Sequence, residues 1–391
     1  MRHQFYLGGI MKKVFLLLIV LMVWSTGSSQ SCLPQGISFS TQAQIDNFHS
    51  NYPNCTQIEG DVQIIGADIA NLNRLNVLTS IGGTLQINYT DSLKALSGLN
   101  NVTSIGGHLM IVSNNALTSL TGLEGVTSIV GSLWIQANNA LTSLTGLNNV
   151  TSVGGELFMG YNTIITNLTG LEGLKSLGGQ LGINSNNNAL TSLTGLEELK
   201  SIGGNLGIQS NATLASLTGL EGLDSISGYI WIKNNLTLTT LTGLDYIDAG
   251  TITELHIFSN PILSECAIQS ICDYLAKTYG YFYIEIHDNA TGCNSQAEVD
   301  TACNHLSVEN LPFNDIFSLY PNPSSDQVNI VTSAVPAKGQ LSILNTSGQQ
   351  LIISQITEPK TVIDISTLPS GVYFVRVTND KTVEVGKIIK Q

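Results

Sequence analysis

Six residues in the middle of the chain have the side-chain types and the regular spacing of a ligand-binding surface. Successive members are 24 or 25 residues apart, and they are Trp134, Phe158, Gly182, Gly207, Trp231 and His256. Aromatic faces bind sugar rings and apolar side chains, whereas glycines leave room for a ligand. If each interval adds one strand to a sheet, the two glycines form a trough roughly 14 Å across between Phe158 and Trp231. We therefore expect this column to contact a ligand.

A simpler interpretation of the same column stays open at the level of sequence. A neighbouring loop could cover the rings, or the rings could stiffen the sheet by stacking on one another. In either case the column would stabilise the fold and bind nothing.

Catalytic chemistry has no comparable signature in this chain. Polysaccharide lyases and hydrolases need paired carboxylates at a fixed separation, or a Ca²⁺ cluster with a basic residue. The acidic residues of the repeats are scattered, Arg74 is the only arginine among them, and neither Gly-x-Ser-x-Gly nor His-Glu-x-x-His occurs. Glu156 and Glu254 both flank predicted strands but lie four repeats apart. We expect no catalytic residue, no metal site and no cofactor, so the protein is predicted not to be an enzyme.

The cysteines point to disulfide chemistry. Cys32 and Cys55 precede the repeats. The other four follow the repeats and are Cys266, Cys272, Cys293 and Cys303. In an exported protein, an even number of cysteines at both ends of a repeat predicts disulfides that close those ends. Cys32–Cys55 is the expected N-terminal bridge, and the other four allow three pairings. A zinc site is the alternative, but there is no paired Cys-x-x-Cys and only His287 and His305 are close in sequence.

The elements that position these side chains come from a repeat. An apolar residue recurs at six intervals of 24 residues and one of 25, at Leu78, Val102, Val126, Val150, Leu174, Leu199, Leu223 and Ile247. Each repeat contains a Leu-x-Ile-like alternation, which is typical of a strand with one buried face. This alternation occurs nine times between Val62 and Ile257. The pattern predicts a solenoid of about nine coils, in which each strand pairs in parallel with the next.

Two further columns of the repeat are interpreted as architecture. Glycine pairs precede most strands, at Gly82-Gly83, Gly106-Gly107, Gly154-Gly155, Gly178-Gly179 and Gly203-Gly204. Because no helix pattern follows them, we expect tight turns with positive φ rather than a phosphate site. A polar column after the strands is almost entirely asparagine: Thr90, Asn114, Asn138, Asn162, Asn186, Asn211, Asn235 and Asn260. Asparagine side chains can bond turn backbones and each other, so this column is predicted to be a structural ladder.

The N-terminus and the composition predict export. Lys12-Lys13 is followed by an apolar run and then by small residues, so residues 1–29 are predicted to be a signal peptide. The apolar run is too short to span a bilayer, and no other segment is a transmembrane candidate. Lipid attachment at Cys32 is an alternative that Ser29-Gln30-Ser31 disfavours. The formal net charge is −13 with only three arginines, so the chain has no basic face for nucleic acid.

The segments outside the repeats are predicted to close the stack and to form a second domain. Open ends would expose apolar coils and strand edges, so we expect short helices at residues 40–49, 264–279 and 295–303 and a strand at 281–286. The solenoid with its disulfide-bonded caps is placed at residues 30–304, followed by a linker at 305–316. Residues 317–391 contain short alternating segments that predict a small antiparallel β-sandwich.

The tail resembles a known sorting domain. It contains Tyr320-Pro321-Asn322-Pro323 near its start and Gly371-Val372-Tyr373-Phe374 near its end. These motifs resemble the C-terminal sorting domain (Por-type) of type IX secretion substrates in Bacteroidetes-type bacteria. The resemblance implies that the partner of the tail is the type IX secretion machinery. It also implies passage through the outer membrane, followed by release or attachment at the cell surface.

The repeats, with Cys55 to Ile64 at their entry, look like a receptor L domain. That family is a leucine-rich-repeat-like, right-handed parallel β-helix that binds ligands in receptor ectodomains. Here the coils are more nearly identical than in the receptor pattern, and the accompanying Cys-rich region is missing. The resemblance therefore implies a binding scaffold but not growth-factor binding.

The expected fold is dominated by β-structure: a right-handed parallel β-helix with short helical caps, followed by a small antiparallel β-sandwich. The expected function is that of a secreted or cell-surface, non-catalytic binding or adhesion protein, whose partner is an extracellular glycan or protein. The alternative is a structural component of the cell-surface coat without a specific ligand. A polysaccharide-active β-helix enzyme ranks below both.

Overall fold

The computed structural model describes residues 30–185, 189–277, 283–306, 317–332, 339–346, 348–378 and 383–391. The predicted signal peptide and residues 307–316 of the predicted linker lie outside this part of the chain. The chain divides into two compact units between Leu306 and Ser307. No helix within the described ranges is long and apolar enough to cross a membrane.

The first unit is a parallel β-solenoid whose main wall, called the long sheet here, has eleven strands. In chain order, each paired in parallel with the next, they are Ile37–Phe39, Val62–Ile65, Leu85–Asn88, Leu109–Val112, Leu133–Gln136, Leu157–Gly160, Leu181–Asn184, Leu206–Gln209, Ile230–Lys233, Glu254–Phe258 and Tyr283–His287. The nine predicted repeat strands are confirmed. One strand from each cap extends the sheet at its two ends.

A second wall, called the short sheet, was not predicted. Its nine parallel strands are Gln30–Cys32, Cys55–Ile58, Ser80–Ile81, Ser104–Ile105, Ser128–Ile129, Ser152–Val153, Ser176–Leu177, Ser201–Ile202 and Ser225–Ile226. Most of these strands have only two residues, so no alternation develops that sequence reasoning could detect. The short sheet is nevertheless the second row of backbone hydrogen bonds that joins neighbouring coils.

The space between the walls is filled by apolar side chains that repeat at every coil. In the coil that begins at Val126 the buried residues, each at most 1% exposed, are Val126, Ile129, Leu133, Ile135, Leu141, Leu144 and Leu147. The same positions are buried in the neighbouring coils, so the core is one continuous cluster from Phe39 to Val299. A coil has apolar neighbours above and below, which is why the unit is stable only as a stack.

The glycine pairs have a different role from the predicted one. None of these residues has a positive φ, so the expectation of left-handed turns was wrong for them. A Cβ atom on Gly106 would lie 2.1 Å from the carbonyl oxygen of Gly82, and one on Gly178 would lie 2.1 Å from that of Gly154. The neighbouring coil therefore approaches these glycines closely, and at the second position of the pair glycine recurs even in the coil where Val130 replaces the first one, at Gly131. Positive φ occurs instead at the glycine of the Thr-Gly-Leu turn, as at Gly122, where φ is 117°.

The asparagine column forms the predicted ladder. Asn138 donates from its backbone N–H to Oδ1 of Asn162 at 3.0 Å, and its Nδ2 donates to the carbonyl oxygen of Ile111 at 2.8 Å. The same bonds recur along the stack, and the ladder continues beyond the prediction to Asn289 in the last coil. Asn186 lies outside the described residues. The ladder asparagines satisfy buried backbone groups at every described level.

Helices cover both ends of the solenoid. At the N-terminal end, Gln42–Asp46 begins with a capping box at Thr41 and is followed by Phe48–Asn51. At the other end, Gln269–Leu275 and Gln296–Leu306 pack together. Two 3₁₀ turns complete the helical elements, at Asn73–Leu75 and Ala249–Thr251. The predicted helical caps are confirmed.

The cysteines close these caps as disulfides. Cys32 is bonded to Cys55, Cys266 to Cys293, and Cys272 to Cys303. The first pair is the predicted N-terminal bridge, and the structure selects one of the three pairings left open at the other end. The alternative of a zinc site is wrong, because no cysteine remains as a thiolate ligand.

The second unit is a sandwich of two antiparallel sheets, as predicted. One sheet has three strands, Phe317–Tyr320, Gln327–Thr332 and Lys360–Asp364. The other has four, in the spatial order Gln350–Gln355, Gln340–Leu344, Gly371–Thr378 and Val383–Lys390. Val328, Ile330, Ile343 and Val375 are fully buried between the sheets.

Candidate ligand-binding face

The outward surface of the long sheet carries the predicted candidate residues. In each four-residue strand the first and third side chains enter the core, so the second and fourth point outward. The second positions form one continuous column in register: Gln63, Gln86, Met110, Trp134, Phe158, Gly182, Gly207, Trp231, His256 and Glu285. All six predicted residues therefore lie on adjacent coils of one face. We call this the aromatic column.

The trough in the aromatic column is narrower than the sequence indicated. A Cβ atom on Gly182 would lie 3.2 Å from Cδ2 of Phe158, and one on Gly160 would lie 3.0 Å from Cε1 of the same ring. Phe158 therefore lies across Gly160 and Gly182 instead of standing beside an open floor. Gly182 is buried as a result.

The remaining opening is at Gly207. A Cβ atom there would meet only the carbonyl oxygen of Leu181 at 3.9 Å and Oδ1 of Asn184 at 4.0 Å. The same Asn184 oxygen is shielded from solvent and has no hydrogen-bond partner among the described residues. An unsatisfied acceptor next to an empty side-chain position is a plausible contact point for a ligand hydroxyl.

Trp231 forms one wall of this opening and is held by three neighbours. Its indole stacks on His256, with ring centroids 5.4 Å apart and an interplanar angle of 26°. Tyr229 meets it edge-on at 5.6 Å, and Nζ of Lys233 lies 4.4 Å from the ring centroid. The stack ends at Trp231, because the next coil has Gly207 where another ring would continue it.

Trp134 belongs to a separate part of the column. It meets Phe158 edge-on with ring centroids 6.5 Å apart, which is the cross-coil stacking of the simpler interpretation. Nε1 of Trp134 and Nε1 of Trp231 are both shielded from solvent and lack a hydrogen-bond partner within the described chain. The column thus combines a packed half around Trp134 with an open half around Gly207.

Sequence reasoning missed a group of charged residues at the C-terminal end of the column. Nδ1 of His256 lies 2.9 Å from Glu285 and Nε2 lies 3.0 Å from Glu254. Glu285 also contacts His287 at 3.2 Å, and His287 lies 2.8 Å from Asp288. Glu285 and His287 belong to the cap strand, where the repeat spacing is lost. Only the observed register shows that Glu285 is the next member of the column after His256.

These contacts change the acid–base properties of two of the residues. The pKa of His287 is raised by its hydrogen bond with Asp288 and then by that with Glu285. The pKa of Glu285 is lowered by its hydrogen bond with His256 and then by that with His287. The Glu285 carboxylate is thus hydrogen-bonded to two imidazole rings, those of His256 and His287.

Two shallow concavities lie away from the aromatic rings, and the second includes Gln63 and Gln86 at the N-terminal end of the column. One, of about 380 Å³, is on the short sheet between Ser128 and Gly178 and has no titratable side chain in its lining. The other, of about 290 Å³, lies at the first coils and contains Asp61 as its one titratable residue. We give more weight to the aromatic column, because neither concavity has aromatic rings or paired charges. Within the described ranges, no group of three His, Cys, Asp or Glu residues has the geometry of a metal site.

The motif residues of the tail make specific bonds in the sandwich. Asn322 donates from Nδ2 to the carbonyl oxygen of Lys387 at 2.8 Å, and its Oδ1 accepts from the N–H of Ile389 at 2.9 Å. The hydroxyl of Tyr373 donates to the carbonyl oxygen of Pro369 at 2.7 Å. Gly371 begins the strand that carries Tyr373, and Tyr320 is 46% exposed beside the cis peptides to Pro321 and Pro323. The sorting motif therefore ties the last strand to the start of the sandwich.

Comparison with protein families agrees with this division of the molecule. Residues 318–391 match the family model of the secretion system C-terminal sorting domain. Residues 54–118 match the family model of the receptor L domain. Both suspected resemblances are confirmed.

The first match covers nearly all of the C-terminal unit, and the second covers the entry and the first coils of the solenoid. The sorting-domain match implies interaction with the type IX secretion machinery, secretion and delivery to the outer surface. The receptor L-domain match suggests a binding role. The search of curated proteins found no match to the chain.

Proposed function

We propose that the protein is a non-catalytic binding protein, exported through its signal peptide and the type IX pathway, whose aromatic column holds a carbohydrate ring over Gly207. The observation that carries the proposal is the stack of His256 and Trp231, which ends at a coil without a side chain. A ring placed on the face of Trp231 opposite His256 would occupy the level of Gly207, since coils are about 4.8 Å apart, and the Lys233 side chain over the indole would border it. That spacing is within the range of ring-to-ring stacking.

The surroundings of the opening suit a polar ring better than a purely apolar group. Asn184 offers an Oδ1 that has no partner within the described chain and lies 4.0 Å from the empty Cβ position, and a small rotation of its amide would present this acceptor to a hydroxyl. Lys233 lies beside the indole and adds a donor. An apolar face with polar groups at its rim is the arrangement that a sugar ring requires.

Two observations favour binding over the alternatives. The helical caps bury Ile45 and Phe48 at the first coil and Ile271 at the last, which opposes the end-to-end assembly expected of a coat component. Glu254 and Glu285 are both engaged with His256, so they are not free to act as an acid and nucleophile pair.

The test uses the secreted protein, purified in its oxidised form, on an array of bacterial, plant and animal glycans. We expect the wild type to bind at least one glycan and Trp231→Ala to lower that affinity about 30-fold, because loss of a central stacking residue costs about 2 kcal/mol. Gly207→Phe should abolish binding by filling the opening. Met110→Ala is a matched control in the same column, away from the opening, and should bind as the wild type does.

Three outcomes would overturn the proposal. These are no binding to any glycan, binding that survives Gly207→Phe, or equal loss in Met110→Ala. Release of product from the bound glycan or from peptides in a hydrolysis screen would refute the non-catalytic part. Concentration-dependent assembly in light scattering, without glycan binding, would favour the coat component.

A further inference from the structure

The sorting tail exposes an apolar sheet face that its own core does not cover. In the four-stranded sheet, Leu341, Val375 and Ile388 are buried against the other sheet. Alternate residues point the other way, and five of them are at least 37% exposed: Leu351, Ile353, Val372, Val385 and Ile389. We call this outward surface the tail face. Clustered exposed apolar residues on a small domain mark an interaction surface.

Strand register makes the tail face continuous. Ile353 lies opposite Ser342, which lies opposite Arg376, which in turn lies opposite Val385. A second row passes from Leu344 through Phe374 to Lys387, and a third joins Val372 to Ile389. Arg376 therefore lies between Ser342 and Val385, and Ile353 lies one strand beyond Ser342.

The charged residues of the tail face are basic. Within the described part of the tail they are Arg376 and Lys387. Arg376 donates from Nε to Oγ of Ser342 at 3.3 Å, and Ser342 is only 2% exposed. Residues 317–391 hold six of the 15 basic residues but only five of the 28 acidic ones, so the tail is basic relative to the rest of the chain. An acidic partner surface is therefore complementary to it.

The C-terminal half of the edge of the final strand is not open to a partner. Besides the two bonds from Asn322, the N–H of Ser324 donates to the carbonyl oxygen of Ile389 at 2.9 Å. The N–H of Gln391 donates back to the carbonyl oxygen of Ser324 at 2.9 Å. The Asn-Pro-Ser segment thus occupies the hydrogen-bonding groups that strand addition would need. Recognition at this end of the sandwich is left to the side chains of the tail face.

We propose that the tail face is the surface by which this protein docks on a protein component of the secretion machinery. The contacting surface of that component is apolar and places a carboxylate opposite Arg376. The match to the sorting domain indicates that the partner belongs to the secretion machinery. The basic residues of the tail face indicate that the partner surface is acidic. A protein partner fits better than an anionic membrane, because the hydrogen bond from Nε of Arg376 to Ser342 orients the guanidinium for one specific carboxylate.

The test measures export of the full chain in a type IX-competent cell as the ratio of secreted or surface protein to periplasmic protein. We expect Val385→Asp and Arg376→Glu each to lower that ratio at least tenfold, towards the value for a chain truncated before residue 317. Val362→Asp is the matched control, because Val362 is 49% exposed on the other sheet whereas Val385 is 51% exposed on the tail face. The control should be exported as the wild type is.

A second measurement separates recognition from folding and from lipid binding. Periplasmic Val385→Asp and Arg376→Glu should melt within a few degrees of the control, and neither they nor the wild type should bind vesicles containing anionic lipid. Normal export of both variants would overturn the proposal, as would equal loss in the control or unfolding of both variants. Vesicle binding by the wild type that both variants lose would replace the protein partner with a membrane.

Discussion

Replacing Asn138 with alanine tests whether the asparagine ladder holds the coils together. Asn138 is fully buried, and its side chain joins three coils. Its Oδ1 accepts from the backbone N–H and from Nδ2 of Asn114, each at 3.1 Å. Its Nδ2 donates to the carbonyl oxygens of Ile111 at 2.8 Å and Gln136 at 3.1 Å. Alanine removes all of these bonds and leaves the surrounding backbone groups without the partner that the amide supplied.

The expected loss of stability follows from the buried groups that Asn138→Ala leaves without hydrogen-bond partners. The Asn114 N–H and the Ile111 carbonyl lose a buried partner, and each such loss costs about 1–3 kcal/mol. Nδ2 of Asn114 keeps its bond to the carbonyl oxygen of Ile87, so it adds little. We therefore expect Asn138→Ala to lower the free energy of unfolding by about 2–6 kcal/mol. For a solenoid of this size that corresponds to a fall in Tm of roughly 4–24 °C.

Asn139→Ala is the matched control, because this neighbouring asparagine is exposed and bonds only exposed side chains of Asn115 and Thr163. It should cost less than about 1 kcal/mol. Stability is measured on the oxidised full chain by urea unfolding, with hydrogen exchange at Asn114 as a local readout. Equal stability of the two variants, or unchanged protection of the Asn114 amide in Asn138→Ala, would refute the ladder as a source of stability.

Two further predictions concern glycine packing and the charged end of the column. Gly106→Ala should destabilise the fold by about 3 kcal/mol in urea unfolding, because the added Cβ would overlap the carbonyl of Gly82. Gly207→Ala should change stability by less than about 0.5 kcal/mol, because the position is open. Equal losses of stability in the two variants would contradict the explanation by close approach of the coils. The raised pKa of His287 stabilises the fold at pH values below the ordinary pKa of histidine, and this contribution is lost as the pH rises through the pKa of the folded state. The lowered pKa of Glu285 stabilises the fold at pH values above the ordinary pKa of glutamate, and this contribution is lost in acid. The stability that this pair contributes is therefore greatest between about pH 4.5 and 6.5. Glu285→Gln should lower the pKa of His287 in an NMR titration. An unchanged His287 pKa would contradict the assignment.

The repeat made most of the first unit predictable. Strict spacing identified the nine repeat strands and their register, because a one-residue slip would move every apolar residue to the wrong face. It also placed Trp134, Phe158 and Trp231 in one column before any coordinates were known. The roles of the glycine pairs were beyond this reasoning, since φ at Gly106 depends on how closely the next coil approaches.

The sequence predicted which residues belong to the candidate site but not the shape of that site. Sequence spacing cannot show that Phe158 lies over Gly182, because a side-chain rotamer depends on the empty space offered by its neighbours. It also could not add Glu285 to the column, because the last coil departs from the repeat length. The tail face shows the same limit. The alternation of apolar and polar residues along each strand is visible in the sequence, but the continuity of the face around Arg376 comes from pairing between strands far apart in the chain.

By itself, the sequence determined the stacked coils, the capped and disulfide-bonded ends, and the identity of the tail, because these depend on periodicity, cysteine placement and local motifs. Only the tertiary structure decided the pairing of the last four cysteines, the unfilled place at Gly207, and which apolar residues of the tail lie outside its own core. These depend on distances between residues far apart in the chain, which no local pattern encodes. Repetition specifies a scaffold coil by coil, whereas recognition depends on the positions where packing leaves a side chain uncovered or a space empty.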